Sequence, residues 1–303
     1  MVYTVTFNPA LDYVIHTDEI IPGETNRSKS EHILLGGKGI NVSVVLEGLG
    51  IHSTVMGFCA GFTGKEIIRR VKEHGCSCNF IEIPGLSRIN LKLKYDLETE
   101  INANGPNISK DNIQELLNQI SRLNSGDYLV LAGSASKSVP STIYKDLIKS
   151  AGKEVISVVD AEGELLMNTL SCKPFLIKPN NFELSEIFGE EIGADRKKAL
   201  FYAEKLRLMG ARNVLVSLAG NGAVLSAENG KTYEMNAPAG KVINSVGAGD
   251  SMVAGFIAGW IESGDFLHAF KMGVAAGSAS AFSENLADKD SVLKIYSSLE
   301  SVK

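Results

Sequence analysis

The residues Ser245-Val246-Gly247-Ala248-Gly249-Asp250-Ser251 place two glycines and one carboxylate at the opening of an apolar helical pattern, Met252 to Ser263. Small residues at the close-packing positions Ala254, Gly255, Ala258 and Gly259 mark that helix as buried. Glycines ahead of a helix let successive backbone N–H groups converge on an anion, and the helix dipole adds positive potential there. A carboxylate in such a nest competes with the anion for the same donors, so a chemical task best accounts for Asp250. The task that fits is general base: Asp250 takes a proton from a hydroxyl while the amides of Gly247, Ala248 and Gly249 hold charge growing on a transferring phosphoryl group. The alternative is a capped helix whose glycines serve only packing. A second cluster, Gly36-Gly37-Lys38-Gly39-Ile40-Asn41, again lies between an apolar run and a helix, and Lys38 carries a positive charge into it. Neither cluster has the spacing of a Walker A loop. Gly61-Phe62-Thr63-Gly64-Lys65-Glu66 imitates one, but Glu66 replaces the metal-binding hydroxyl, and the segment reads as the start of a surface helix.

Composition narrows the partners. The 303 residues carry a formal charge of −5 with no basic block, which argues against nucleic acid. No apolar run approaches the roughly 20 residues of a membrane span, and the chain opens on a strand rather than a signal peptide. Cys59, Cys76, Cys78 and Cys172 are too few for a disulfide framework in a chain this long. Cys76-Ser77-Cys78 lacks a second ligand pair for zinc, and the five histidines fall outside every glycine motif. A cytoplasmic enzyme acting on small molecules is the expectation.

The elements that must position these residues alternate in type. Val2–Phe7, Thr54–Phe58, Tyr128–Ala132, Val155–Asp160, Phe175–Ile177 and Val214–Ser217 read as short buried strands. Helical patterns occupy Ile40–Leu49, Lys65–His74, Ile113–Leu123, Ser141–Ala151 and Lys197–Met209, with Met252–Ser263 and Leu267–Phe282 closing the chain. The alternation predicts an α/β fold, a mostly parallel sheet covered by helices on both faces. Tyr13–His16, Lys29–Leu35, Ile89–Tyr95 and Glu100–Asn104 are strand-like without crossover helices. They predict a small antiparallel flap over one edge; irregular hairpins are the alternative. On such sheets ligands bind beyond the carboxyl ends of the strands, where Asp12 and the Gly36–Asn41 cluster can face one crevice.

With Asn8-Pro9-Ala10-Leu11-Asp12 and Lys178-Pro179-Asn180-Asn181-Phe182-Glu183, the two glycine clusters resemble the ribokinase-like (PfkB-type) sugar kinases over essentially the whole chain. The resemblance implies a three-layer α/β/α sandwich spanning residues 1–303. It also implies a discontinuous β-sheet lid from segments near 12–35 and 88–104, which in related kinases forms a dimer contact. ATP and Mg2+ are the implied cofactors. Asn8–Asp12 and Gly36–Gly39 look like the branch that phosphorylates sugar phosphates. Arg88-Ile89-Asn90-Leu91-Lys92-Leu93 takes the form seen in kinases of fructose 1-phosphate.

On this reading Asp12 binds sugar hydroxyls or else shapes a turn, and Asn41 contacts the sugar or caps its own helix. Arg27, Lys38 and Arg88 supply cations for the phosphate already on the sugar, with Asn90 on the same strand face as Arg88. Gly36 and Gly37 let the backbone approach the substrate, and Ser134 touches the sugar from a strand end. Lys178, Asn180, Ser217, Gly220, Gly222, Asn244, Ser245, Gly247 and Gly249 form the nucleotide side, with Ala275–Leu286 bordering the adenine. Asn180 and Glu183 act on magnesium through water. Ala219 stands where the family usually has glycine, Ala135-Ser136 replaces a common Leu-Pro, and Ser245 replaces a common threonine.

The expected reaction is ATP-dependent phosphorylation of fructose 1-phosphate to fructose 1,6-bisphosphate. The near rival is a tagatose 6-phosphate kinase or another sugar-phosphate kinase, and the remote one a non-catalytic sugar or nucleotide sensor. A dinucleotide oxidoreductase is disfavoured because no Gly-x-Gly-x-x-Gly follows the first strand.

Overall fold

The computed structural model describes residues 1–96, 98–136 and 138–299; Leu97, inside the expected lid segment, lies outside them. Short runs rich in Val, Ile, Leu and Thr form the strands. These are β1 (Val2–Thr6), β2 (Ala10–His16), β3 (Ser30–Gly36), β4 (Ser53–Ala60), β5 (Ser77–Ile83), β6 (Arg88–Lys94), β7 (Glu98–Ile101), β8 (Tyr128–Ala132), β9 (Ile156–Asp160), β10 (Leu176–Ile177), β11 (Asn213–Ser217), β12 (Ala223–Ser226) and β13 (Thr232–Met235). The helices are α1 (Lys38–Gly48), α2 (Gly61–Glu73), α3 (Lys110–Ile120), α4 (Ile143–Ala151), α5 (Gly163–Thr169), α6 (Asn181–Phe188), α7 (Arg196–Leu208), α8 (Ala248–Ser263), α9 (Phe266–Ala281) and α10 (Lys289–Ser298). None is long and apolar enough to cross a membrane.

One sheet runs β13-β12-β11-β10-β9-β8-β1-β4-β5, parallel throughout except for β12 and β13. Side chains alternate across it, so Leu129 and Leu131 enter the layer beneath α3 to α7, whereas Val130 and Ala132 enter the layer beneath α1, α8 and α9. From β1 the chain first winds one way, to β4 and β5, and later the other, from β8 to β11. The point of reversal lies between β1 and β8, and it leaves a crevice at the carboxyl ends of the strands.

The second sheet, β3-β2-β6-β7, is the expected lid. One feature differs: β2 and β6 pair in parallel, with Asp12 opposite Asn90, so the lid is mixed rather than antiparallel. The reason is topological. β2 follows β1 and β6 follows β5, and those two strands point the same way in the main sheet.

Sequence patterning missed β5, β12, β13, α5, α6 and α10. β12 and β13 span four residues each, too few to show a period. In α10 only Val292 is buried, so no apolar stripe marks the helix. The small-residue pattern in the α8 region does what its spacing suggests. A Cβ on Gly255 would lie 2.5 Å from the Met272 carbonyl of α9, and one on Gly259 would lie 2.8 Å from Ala269 Cα. Ala219, at the departure from the family glycine, adopts φ 49°, a left-handed conformation that costs a non-glycine residue roughly 1–2 kcal/mol. All four cysteines are free thiols.

Candidate active site

Five strand ends build the site. Thr6 ends β1 and Asn8 follows it, Gly133 and Ser134 follow β8, Asp160 ends β9, Lys178 follows β10 and Ser217 ends β11. They line a cavity of about 1000 Å³ that the lid closes on one side with Asp12, Gly36, Arg88, Asn90 and Glu100.

Gly247, at φ 79°, turns the chain into α8 and sets Asp250 in the first turn, 5% exposed. Asn41, on α1, donates from Nδ2 to Asp250 Oδ2 at 2.8 Å. It does not cap its helix, which begins at Lys38; it lines the cavity, and its amide ties the two glycine clusters together. The close approach rests on Gly39, where a Cβ would lie 2.3 Å from Thr6 Oγ1 and 2.8 Å from the Val5 carbonyl. Burial, then the negative charge of Asp160, pushes the Asp250 carboxyl up to about 6, while the Asn41 bond, Lys38 and Lys178 oppose the rise.

Asp160 is the central residue that sequence reading overlooked. It is 1% exposed, its Oδ1 lies 3.2 Å from Lys178 Nζ and 3.9 Å from Lys38 Nζ, and neither oxygen accepts a hydrogen bond among the described residues. The available signal was a carboxylate at the carboxyl end of a parallel strand. The attraction of Asp160 raises the Lys38 pKa. A Cβ on Gly249 would lie 3.2 Å from Lys178 Nζ, so that ammonium stands over the opening of α8.

This geometry breaks up the expected cation group. Lys38 passes over Gly133 toward Asp160 and the reacting end of the cavity. Arg88 stays at the lid, its Nε donating to the Asn8 carbonyl at 3.0 Å, with burial lowering its pKa. Arg27 is exposed on the connection between β2 and β3 and does not line the cavity. Asp12, 7% exposed, accepts from Asn90 Nδ2 at 2.8 Å, and a Cβ on Gly36 would approach Asp12 Oδ1 to 2.7 Å. Gly37, Asn90 and Ser134 line the cavity.

On the other side lie Ser217, Gly220, Gly222, Ser245 and the segment Ala237–Gly240, which carried no recognisable signal; from α9 and its end come Gly277, Ala281 and Phe282. Asn244 does not line this cavity. Its Oδ1 accepts from Val246 N–H and its Nδ2 donates to the Glu284 carbonyl, which fixes a turn beside an adjoining cavity of about 750 Å³ that shares Asp12, Leu35, Asn41 and Val246 with the first. Asn180 and Glu183 form a capping box on α6: Asn180 Oδ1 accepts from the Phe182 and Glu183 amides, and Glu183 Oε2 accepts from the Asn180 amide. Asn180 Oδ1 is thus committed to α6, and Glu183 Oε1 is the oxygen left to face the cavity. Burial raises the Glu183 pKa. No group of three or more His, Cys, Asp or Glu that could hold a metal occurs among the described residues. Magnesium does not require one, because it keeps several waters and leans on substrate phosphates. The two oxygens of Asp160 without hydrogen bonds, near Glu183, fit a hydrated cation of this kind.

Sheet, lid and helix-opening carboxylate define a ribokinase-like phosphotransferase. A family model described as "pfkB family carbohydrate kinase" matches residues 4–291. A 1-phosphofructokinase of Bacillus subtilis is 44% identical over 97% of each chain, and a D-tagatose-1-phosphate kinase of Bacillus licheniformis is 35% identical over 95% of each. The crystal structure of phosphofructokinase-2 from Escherichia coli in complex with fructose-6-phosphate superposes with a TM-score of 0.90 at 29% identity, covering 98% of both chains. The chain belongs to the pfkB family of carbohydrate kinases.

The buried carboxyl gives the site a pH signature. As pH falls through about 6, Asp250 gains a proton and loses its capacity to accept one, so kcat/KM for the sugar declines on that acid limb. Asn41→Ala removes a bond that favours the ionised form, and the limb moves to higher pH. A pH–rate series on both proteins checks this; coincident limbs assign the titration to another group.

Proposed function

We propose that the protein transfers the γ-phosphoryl group of ATP to the free primary hydroxyl of fructose 1-phosphate, giving fructose 1,6-bisphosphate and ADP. The observation that carries this reading is the buried Asp250, held by Asn41 at the opening of α8. The hydroxyl oxygen attacks the γ-phosphorus as its proton passes to Asp250, and the bond from that phosphorus to the ADP oxygen breaks. The amides of Gly249 and Asp250 open a helix and have no intrahelical acceptor, so they are free to hold transition-state charge. The Ala248 amide leans toward the Ser245 carbonyl at 3.3 Å, so Gly249 and Asp250 carry most of this role. Lys38 and Lys178 bring positive charge to the transferring group from either side of Asp160. Magnesium, when bound, would screen the nucleotide phosphates, its waters held by Asp160 and Glu183.

At the other end Asp12 and Asn90 orient sugar hydroxyls, and Arg88 offers the guanidinium suited to a phosphate. The 1-phosphofructokinase relative favours a phosphate on the first carbon, and the tagatose-1-phosphate kinase relative makes the sugar epimer the second reading. A cytoplasmic setting, where thiols stay reduced, suits the free cysteines.

The lid also supports a homodimer. Ile33, Tyr13, Leu91 and Ile101 form one row across its four strands on the face away from the cavity, and Ile33 and Ile101 are exposed. Sedimentation velocity at micromolar protein then gives the mass of two chains; a single-chain mass at every concentration contradicts this assembly.

Substrate choice is tested by competition. Fructose 1-phosphate, tagatose 1-phosphate, tagatose 6-phosphate, fructose 6-phosphate and fructose are supplied together at equal concentration with limiting ATP. Fructose 1,6-bisphosphate formed from fructose 1-phosphate is the expected major product. Free fructose is used poorly, because the half-buried Arg88 guanidinium left without a phosphate penalises its binding. Preferential use of a tagatose phosphate gives the function to the second reading, and preferential use of free fructose removes the role assigned to Arg88.

A further inference from the structure

One buried cation of the lid has no part in the mechanism above. Lys92 is 8% exposed and belongs to the row His32, Val14, Lys92, Glu100 across the cavity-facing side of the lid sheet. Its Nζ lies 3.1 Å from Glu100 Oε1 and 3.5 Å from Asp12 Oδ2. Asp12 and Glu100 both line the main cavity, whereas Lys92 does not; it reaches the cavity only through those two carboxylates. Asn90 completes the arrangement, donating to Asp12 Oδ1 and accepting at Oδ1 from the Ala103 amide at 3.3 Å just beyond β7.

Removing a lysine from water is costly unless its charge is matched. This one is shared between two carboxylates at the end of the cavity where the sugar enters, leaving that trio with one net negative charge. Arg88, four residues earlier on β6 and on the same face, is the cation facing the ligand. A sugar carrying a doubly charged phosphate would meet two unmatched carboxylates beside Arg88 if Lys92 were neutral. A sugar without phosphate would meet no such repulsion.

We propose that Lys92 is a positioning residue that sets specificity: by neutralising Asp12 and Glu100 it admits a phosphorylated sugar to the lid end of the cavity and holds Asp12 toward the sugar hydroxyls. This rests on the sugar-phosphate kinase reading, and it adds a role for a residue that touches neither substrate. Two consequences separate it from a merely structural ion pair. The effect falls on the Michaelis constant of the phosphorylated sugar and not on that of ATP. It is also reversed by removing the charge of Glu100, which a packing defect would not be.

The test compares the wild-type enzyme with Lys92→Met, Glu100→Gln and the double variant, measuring kcat and both Michaelis constants. Lys92→Met raises the constant for fructose 1-phosphate about 10- to 100-fold, as expected when one partner of a buried charge group is lost, and leaves that for ATP within about twofold. Glu100→Gln, a half-exposed and structurally mild change, lowers the sugar-phosphate constant about two- to fivefold. The double variant recovers most of the loss. Equal increases for sugar and ATP, or no recovery in the double variant, overturn the proposal. Should Lys92→Met fail to fold, Glu100→Gln decides alone, since an unchanged or raised constant contradicts the charge argument. The wild-type measurement keeps the two readings apart: an enzyme that ignores fructose 1-phosphate refutes the proposed function, and the same variants are then compared on the phosphorylated ketose it does use.

Discussion

The hydrogen bond from Asn41 to Asp250 joins residues 209 positions apart, and much of the structure is arranged so that it can form between buried side chains. An ionised carboxylate at 5% exposure is unfavourable without donors and nearby positive charge. Asn41 supplies the donor, and Lys38 and Lys178 supply the charge, themselves held by Asp160. Two carboxylates and two ammonium groups, all buried except the half-exposed Lys38, therefore meet at the mouth of a helix. The balance leaves Asp250 with an affinity for protons near the range where a general base is effective.

Meeting that constraint requires backbones to approach more closely than side chains permit. Gly39 lets the start of α1 settle onto β1, Gly247 turns the chain into α8, and Gly249 leaves room for the Lys178 ammonium. Behind them, Gly255 and Gly259 seat α8 against α9 and fix the direction in which its first turn points. The sheet contributes by topology: reversal of strand order between β1 and β8 opens the crevice into which β1, β8, β9, β10 and β11 each deliver a residue. The lid supplies the opposite wall and presents Asp12 and Arg88 at the far end from Asp250.

The parts of this arrangement legible in the sequence are those that depend on local patterns. Buried parallel strands such as Tyr128–Ala132 were readable to the residue, because apolar runs bounded by turns are their direct signature. Asp250 and both glycine clusters stood out because glycines beside a charged residue at a helix start are seldom decorative. Residues whose roles arise only from three-dimensional neighbours stayed hidden. Asp160 looks like the polar end of a strand until Lys38 and Lys178 arrive from elsewhere in the chain. Asn41 reads equally well as a cap or a sugar ligand. Arg27 looked equivalent to Arg88, yet sheet register places Arg88 at the cavity, and Arg27 lies exposed on the connection between β2 and β3. The parallel pairing of β2 with β6 was equally invisible, since it follows from the directions of β1 and β5 rather than from either lid strand.

The central claim is that Asp250 acts on the proton of the acceptor hydroxyl and not merely on the fold. Asp250→Asn keeps the shape of the side chain and its contact with Asn41 while removing the capacity to take a proton. The most direct measurement is single-turnover phosphoryl transfer by this variant under saturating ATP and fructose 1-phosphate, with both substrates' binding measured separately by calorimetry. The account predicts binding within a few-fold of wild type and a transfer rate lower by about 100- to 10,000-fold, the usual loss when a general base is removed. Near-native transfer by Asp250→Asn would contradict it.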